Sequence, residues 1–337
     1  LGETEEEIIG VILLNLGGPD SLQAVRPFLY NLFSDREIIR LGPPFLQKPV
    51  AWLISFFRSK KTKRLYSLIG GKSPILNITM AQAKALEELL NSSLVTRHSA
   101  LSFRVFVGMR YWHPFIDEVV PEMHRSGIKR IVALNMYPQY SHATTGSSMS
   151  VLKKVLQKYP MEVCFITSWF DNPLYIEALI DVIKKGLKSF NSELRTPNSE
   201  LNIVLFSAHN LPETLIKEGD PYVEQINGTI KEITKRLNIQ WHLSYQSKSG
   251  PVKWLEPSTG EMLKRFAEKG FKNILLVPIS FVSDHIETLY EIDILYKGIA
   301  SRLGLSLKRV DSLNTHPLFI EALKDIVMKG LKKKGWI

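Results

Sequence analysis

One cysteine, Cys164, stands in 337 residues. A lone thiol closes no intrachain disulfide and cannot supply the thiolate set of an iron–sulfur cluster, so a reducing compartment and no cluster are expected. The familiar catalytic signatures are missing as well. Gly70-Gly71-Lys72-Ser73 looks like the end of a phosphate-binding loop, but Tyr66 occupies the place of the first glycine and Pro74 follows, so a turn before a helix is the better reading. No G-x-G-x-x-G follows a strand, and neither H-E-x-x-H nor G-x-S-x-G occurs. Nucleotide-dependent, zincin and serine-hydrolase chemistries therefore lack support. The first residues are acidic (Glu3, Glu5, Glu6, Glu7) rather than basic-then-apolar, so no export signal is expected and a cytoplasmic location follows.

Negative charge is short, leaving a formal net charge of +10. Nucleic acid, an anionic membrane and an acidic small molecule are the partner classes that such a charge invites. No nucleic-acid recognition motif is present, which removes the first. The position of the cations points to the second. Arg58, Lys60, Lys61, Lys63 and Arg64 follow directly on Ala51-Trp52-Leu53-Ile54-Ser55-Phe56-Phe57, with a smaller cluster at Lys332, Lys333 and Lys334. The apolar stretch is far below the ~20 residues of a spanning helix. Trp52, Leu53, Ile54, Phe56 and Phe57 beside a polybasic run suit a helix lying in a membrane interface, within a lip at 41–64. The alternative is a core helix that ends in a surface turn.

Short apolar runs alternate with longer amphipathic stretches. Strands are expected at Ile8–Leu16, Phe103–Gly108, Ile131–Met136, Val163–Thr167, Ile203–Ser207, Ile274–Pro278 and Leu307–Val310. Helices are expected near 80–93, 115–126, 145–158, 174–190, 221–236, 259–269, 287–302 and 317–333. The strands lack period-2 alternation, as strands covered on both faces do, so an α/β fold with parallel sheets is expected. Leu13–Pro19 and Leu205–Pro212 each run from a strand into a turn closed by proline, which suggests two related halves. The expected domains are 8–163, 164–315 and a terminal helix, 316–337, packing back on the first.

Sites in such sheets lie beyond the carboxyl ends of strands. His209 falls there, in a small-residue turn, whereas His98, His124, His242 and His316 stand in surface-like contexts. The segment Ser283–Asp293 also follows a strand and holds Asp284, His285, Glu287, Glu291 and Asp293. Glu287 and Glu291 share a helix face, where like charges repel unless a proton or cation is shared. A solvated acidic helix start is the bland alternative; Ile286, Leu289 and Ile292 argue for partial burial instead. The hydroxyls of the Tyr137–Ser148 run suit helix capping, or the cradling of an anion. Trp254 sits in a proline-bounded loop, placed either to wall a flat ligand or to pack locally.

These residues resemble the ferrochelatase family. The matching segments are Leu14-Asn15-Leu16-Gly17-Gly18-Pro19, Ile69–Ile75, Met109-Arg110-Tyr111-Trp112-His113-Pro114, Tyr137–Ser148, Phe206–Pro212 with Gly219–Tyr222, Gln246-Ser247-Lys248, Trp254 and Val277–Asp293. The resemblance implies two Rossmann-like halves with a porphyrin cleft between them, and insertion of Fe2+ into protoporphyrin IX with release of two protons. It implies His209 and Glu287 as catalytic and metal-contacting residues, with Asp284, His285 and Glu291 as a proton or iron relay. Asn15, Leu16, Arg110, Tyr111, Tyr137, Trp254 and Phe281 are implied as porphyrin contacts. Fe2+ enters as substrate, no cofactor is tightly bound, and the lip rests on the inner face of the membrane. His142 replaces the cysteine of cluster-bearing relatives, and Asn210 replaces the usual serine. A coproporphyrin ferrochelatase, a cobalt chelatase and a non-catalytic porphyrin or haem carrier are the competing readings.

Overall fold

A computed structural model describes residues 7–92, 101–193, 202–248 and 250–337; His98 lies outside them. The chain divides into two units, Leu1–Asn172 with Asn314–Ile337, and Pro173–Leu313.

In the first unit β1 (Glu7–Asn15), β2 (Leu101–Met109), β3 (Arg130–Asn135) and β4 (Glu162–Ile166) form a parallel sheet of order β2-β1-β3-β4. Ile9 and Val11 to Leu14 are fully buried, which is why β1 reads as a continuous apolar run. Gly10 interrupts it because a Cβ there would stand 2.6 Å from Met123 Cε, on the helix Ile116–Arg125 that covers the sheet. β4 pairs with β3, so the boundary between units falls after Asn172 rather than at 163/164. The terminal helix Pro317–Lys334 packs on this same unit. Its Gly330 leaves room for Cys164, whose thiol donates to the Gly330 carbonyl at 3.5 Å. Burial pushes that thiol's pKa up, so the lone cysteine is a packing residue with little thiolate.

In the second unit β5 (Asn202–His209), β6 (Trp241–Gln246), β7 (Asn273–Pro278) and β8 (Ser306–Arg309) form a parallel sheet of order β6-β5-β7-β8. This repeats the order of the first sheet. β6 escaped the apolar-run criterion because it is an edge strand, exposed at Trp241 and buried only from Ser244. In both sheets the crossovers leave the first strand to either side, so the crevice that binds ligands opens at the carboxyl ends of β1 and β3, and of β5 and β7. Asn15 ends β1 and His209 ends β5, at equivalent positions.

Candidate active site

His209 closes β5 and is held from three directions. Its backbone N–H donates to Ser280 Oγ at 2.9 Å, and its carbonyl accepts from the Tyr222 hydroxyl at 3.0 Å. Its Nδ1 stands 2.8 Å from Glu287 Oε2. A carboxylate only accepts, so Nδ1 carries the hydrogen and Nε2 presents its lone pair, as in other imidazole–carboxylate pairs. The His209 side chain is 35% exposed and that of Glu287 19%, so the imidazole is the member a substrate reaches. Burial alone would depress the His209 pKa; the Glu287 carboxylate overcomes this, and the net shift is upward. Burial would raise Glu287, and the imidazole beside it holds it well below the usual carboxylate range. Phe281 lies edge-on to the His209 ring, with centroids 6.2 Å apart.

Glu287 begins a π-helical segment, Glu287–Tyr296, rather than the ordinary helix the sequence suggested. Such i→i+5 turns are rare and frequently occur at functional sites. Glu291 shares the face of Glu287, as expected from the spacing. Its Oε1 accepts from the Ser247 N–H and the Tyr296 hydroxyl, both at 3.0 Å. Burial, then the charge of Glu287, push the Glu291 pKa up. Gln246 ties this segment to β5: its Nε2 donates to the Glu287 carbonyl at 3.2 Å, while its Oε1 accepts from Ser207 Oγ at 2.7 Å. Gln246, Ser247, Tyr296 and Tyr222 received no role from the sequence. Gln246 and Ser247 were signalled only by the Gln246-Ser247-Lys248 match and Tyr222 only by the Gly219–Tyr222 match, while Tyr296 lies outside every matching segment.

The remaining relay candidates divide. His285 is buried; its Nδ1 donates to the Ser283 carbonyl at 3.1 Å, which leaves Nε2 3.9 Å from Glu287 Oε1. Burial lowers its pKa in spite of that carboxylate, so the ring is neutral and able to take a proton. Asp284 is instead bound to Arg309, at 3.0 Å, and accepts from Ser312 Oγ and Thr288 Oγ1. Arg309 also grips Asp293 at 2.8 Å. One half-buried guanidinium thus holds carboxylates on either side of Glu287 and Glu291, and Asp284 is one of the two. Among the described residues no group of three or more His, Cys, Asp and Glu side chains is arranged to hold a metal ion; His209 and Glu287 are two donors.

Trp254, in the same unit, is only half-buried, next to the bridge that joins it to Pro212. In the first unit, Asn15 is buried and used internally: Nδ2 donates to Thr79 Oγ1 at 3.1 Å and Oδ1 accepts from the Leu16 N–H at 2.8 Å. Tyr111 is 1% exposed, and its hydroxyl donates to Asp35 at 2.6 Å. Neither side chain offers a free polar atom to a porphyrin, a difference from the expectation that follows from their burial. Arg110 pairs with Asp35 at 2.7 Å and donates to Ser147 Oγ at 2.7 Å, yet keeps part of its surface exposed. Leu16 and Tyr137 are half-buried after β1 and β3. Ser141 caps the turn before the helix Ser147–Leu156 through Ala143 N, so at least this hydroxyl of the run serves as a cap.

The stretch expected as a lip, 41–64, forms a short 3-10 turn, Pro44–Leu46, and a helix, Gln47–Ser67. Ala51 and Ser55 are fully buried on one side, while Trp52, Leu53, Phe56 and Phe57 are exposed. Ile54 is half-buried. Trp52 and Phe56 stack at 5.8 Å beneath the Arg26 guanidinium. Gln47 anchors the helix: Nε2 donates to the Phe33 and Ile39 carbonyls, and Oε1 accepts from Arg36 and the Leu41 N–H. No helix among the described residues is long and apolar enough to cross a membrane.

A family profile described as Ferrochelatase matches residues 8–331. The ferrochelatase of Geobacter metallireducens is 51% identical over 328 residues, which are 96% of this chain and 99% of that protein. That of Gloeothece citriformis is 47% identical over 336 residues, 97% of this chain and 84% of its own. Among solved structures, SirB from Bacillus subtilis with Fe3+ aligns over 96% of this chain and 95% of that one, with TM-score 0.54 and 11% identity. At that identity it establishes the fold alone.

Proposed function

The chain belongs to the ferrochelatase family, lyases of haem biosynthesis that insert Fe2+ into a porphyrin, and on that premise we propose that His209 is the base that removes the pyrrole protons and Glu287 the carboxylate that tunes it. The observation that carries this reading is the 2.8 Å contact of Glu287 Oε2 with His209 Nδ1 at the carboxyl end of β5. Metalation exchanges two N–H protons for one Fe2+. Each proton needs an acceptor with a lone pair and a pKa near neutrality, and an imidazole backed by a carboxylate is such an acceptor. The same pair offers Fe2+ one nitrogen and one oxygen donor, enough to meet the ion during transfer without retaining it. Glu291 and His285 receive protons behind Glu287, while Asp284 positions the segment through Arg309. Phe281 and Trp254 contact the macrocycle, as do Leu16 and Tyr137, and Arg110 takes a propionate. Asn15 and Tyr111 act by holding Leu16 and Arg110 in place.

Protoporphyrin IX is the substrate of this reading, because its two vinyl groups make it sparingly water-soluble and the exposed apolar helix offers a route from lipid. Trp52, Leu53, Phe56 and Phe57 enter the interface of the cytoplasmic leaflet, with Ile54 behind them, and the cations that follow meet anionic headgroups. One experiment tests substrate and surface together. The protein should float with phosphatidylglycerol-containing vesicles and metalate protoporphyrin IX held in them under anaerobic conditions, faster than it metalates coproporphyrin. Trp52→Ser with Phe56→Ser and Phe57→Ser should stay in the soluble fraction, yet still metalate detergent-dispersed porphyrin. Equal flotation of the two proteins would contradict the surface assignment, and preference for coproporphyrin the substrate.

A further inference from the structure

Ser247 is the residue after β6 and takes a left-handed backbone conformation, with φ +68°. A side chain rarely adopts that region, and such residues persist where their surroundings over-determine them. Here the determinant is the π-helical segment opposite. The Ser247 N–H donates to Glu291 Oε1 at 3.0 Å, and its Oγ lies 2.6 Å from Glu287 Oε2. The same Oγ is in close contact with Glu291 Oε2. A hydroxyl has one hydrogen, so it donates to one carboxylate only. The one hydroxyl can donate to either carboxylate in turn, which places it as a bridge between Glu287 and Glu291.

We propose that Ser247 is the relay hydroxyl through which protons leave the His209–Glu287 pair. This rests on the assignment of that pair above and adds its exit. Glu287 Oε2, the atom that meets His209 Nδ1, is the atom that meets Ser247 Oγ. The chain of contacts is unbroken from His209 Nδ1 through Glu287 Oε2 and Ser247 Oγ to Glu291 Oε2. A pyrrole N–H proton passes to His209 Nε2, and the pyrrole nitrogen keeps the electron pair for Fe2+. The Nδ1 proton moves to Glu287 Oε2. That proton then passes to Ser247 Oγ while the hydroxyl's own hydrogen passes to an ionised Glu291, which releases it to water. Each pass leaves the hydrogen on Nε2, so His209 returns it to Nδ1 through water before the second pass; with that step the sequence runs twice per metalation, His209 and Ser247 are unchanged at the end, and both protons are accounted for. The left-handed backbone aims N–H and Oγ at one carboxyl group together, so Glu291 stays in register with the hydroxyl.

Ser247→Gly separates the hydroxyl from the backbone, since glycine adopts a positive φ without strain. With folding checked by circular dichroism, Ser247→Gly should bind porphyrin with unchanged affinity and lose about a hundredfold in kcat, the lower end of the range of acid–base contributions. A hindered pyridine base (lutidine), which carries protons but ligates iron poorly, should restore part of that kcat and leave the wild type unaffected. Turnover of Ser247→Gly within twofold of wild type overturns the proposal. Lost turnover that lutidine does not restore, or loss of porphyrin binding, makes Ser247 a framing residue and overturns it equally. If Glu287→Gln, assayed alongside, keeps full turnover, the failure belongs to the base assignment instead.

Discussion

Glu287→Gln is expected to slow iron insertion by roughly two to four orders of magnitude, the span measured for general acid–base groups. The amide has the size of the carboxyl and still accepts a hydrogen bond from His209 Nδ1, so the loss isolates charge from shape. Without that charge only the weaker influence of the Glu291 carboxylate opposes the burial of the imidazole, and the His209 pKa should fall. The sign follows from linkage. In the wild type the raised His209 pKa contributes stability that is full below pH 6.5 and lost as pH rises through the folded value. The depressed Glu287 pKa contributes stability above its ordinary 4.5, lost as pH falls. The ion pair therefore stabilises most between those limits, and Glu287→Gln should remove that window. Histidine resonances from isotope-labelled protein, followed against pH, check both halves. A His209 titration unmoved by the substitution would detach Glu287 from the base.

Asp35→Ala should cost about 3–5 kcal/mol of stability, the usual result of removing one partner of a buried ion pair. The Asp35 carboxylate is 6% exposed beside Arg110. It accepts from Arg110, from the Tyr111 and Ser147 hydroxyls, and from the Glu37 N–H at 2.9 Å. Alanine leaves the half-buried guanidinium without its counter-ion and the fully buried Tyr111 hydroxyl without its carboxylate acceptor. The unfolding midpoint should fall by the order of 10 °C. Burial raises the Asp35 pKa, but the donors and Arg110 outweigh it and the net shift is downward. Its contribution is therefore present above pH 3.8 and lost as pH falls through the folded value, so the difference between variant and wild type should shrink in strong acid. A thermal scan at neutral pH that shows no difference would contradict the assignment. A buried anion at the base of Arg110 also fixes this guanidinium while part of its surface stays exposed.

Much of this was legible in the chain itself, where the physics is one-dimensional. Strands such as β1 and β7 are buried on both faces and announce themselves as unbroken apolar runs. His209 was legible because it closes such a run, and Glu287 with Glu291 because their spacing puts them on one face. β6 was not, since an edge strand needs little apolar surface and Trp241–Gln246 is largely polar. The partners of the site were hidden for a different reason. Ser247 reaches Glu287 across 40 residues, and Asp35 reaches Ser147 across 112; no local pattern encodes a contact made only when parallel strands are set side by side. The counter-ion of Asp284 was hidden for the same reason, as Arg309 lies on the following strand, β8. The exposure of Trp52, Leu53, Phe56 and Phe57 was legible from composition, because aromatics running directly into five cations suit a surface helix better than a core one.

The most direct test is an anaerobic one, with wild type and His209→Ala side by side, each loaded with protoporphyrin IX and mixed with Fe2+ while the free-base absorbance bands are followed. The account expects both proteins to bind the porphyrin and only the wild type to lose those bands over multiple turnovers. Near-normal loss in His209→Ala would contradict it, and the base would then have to be sought elsewhere.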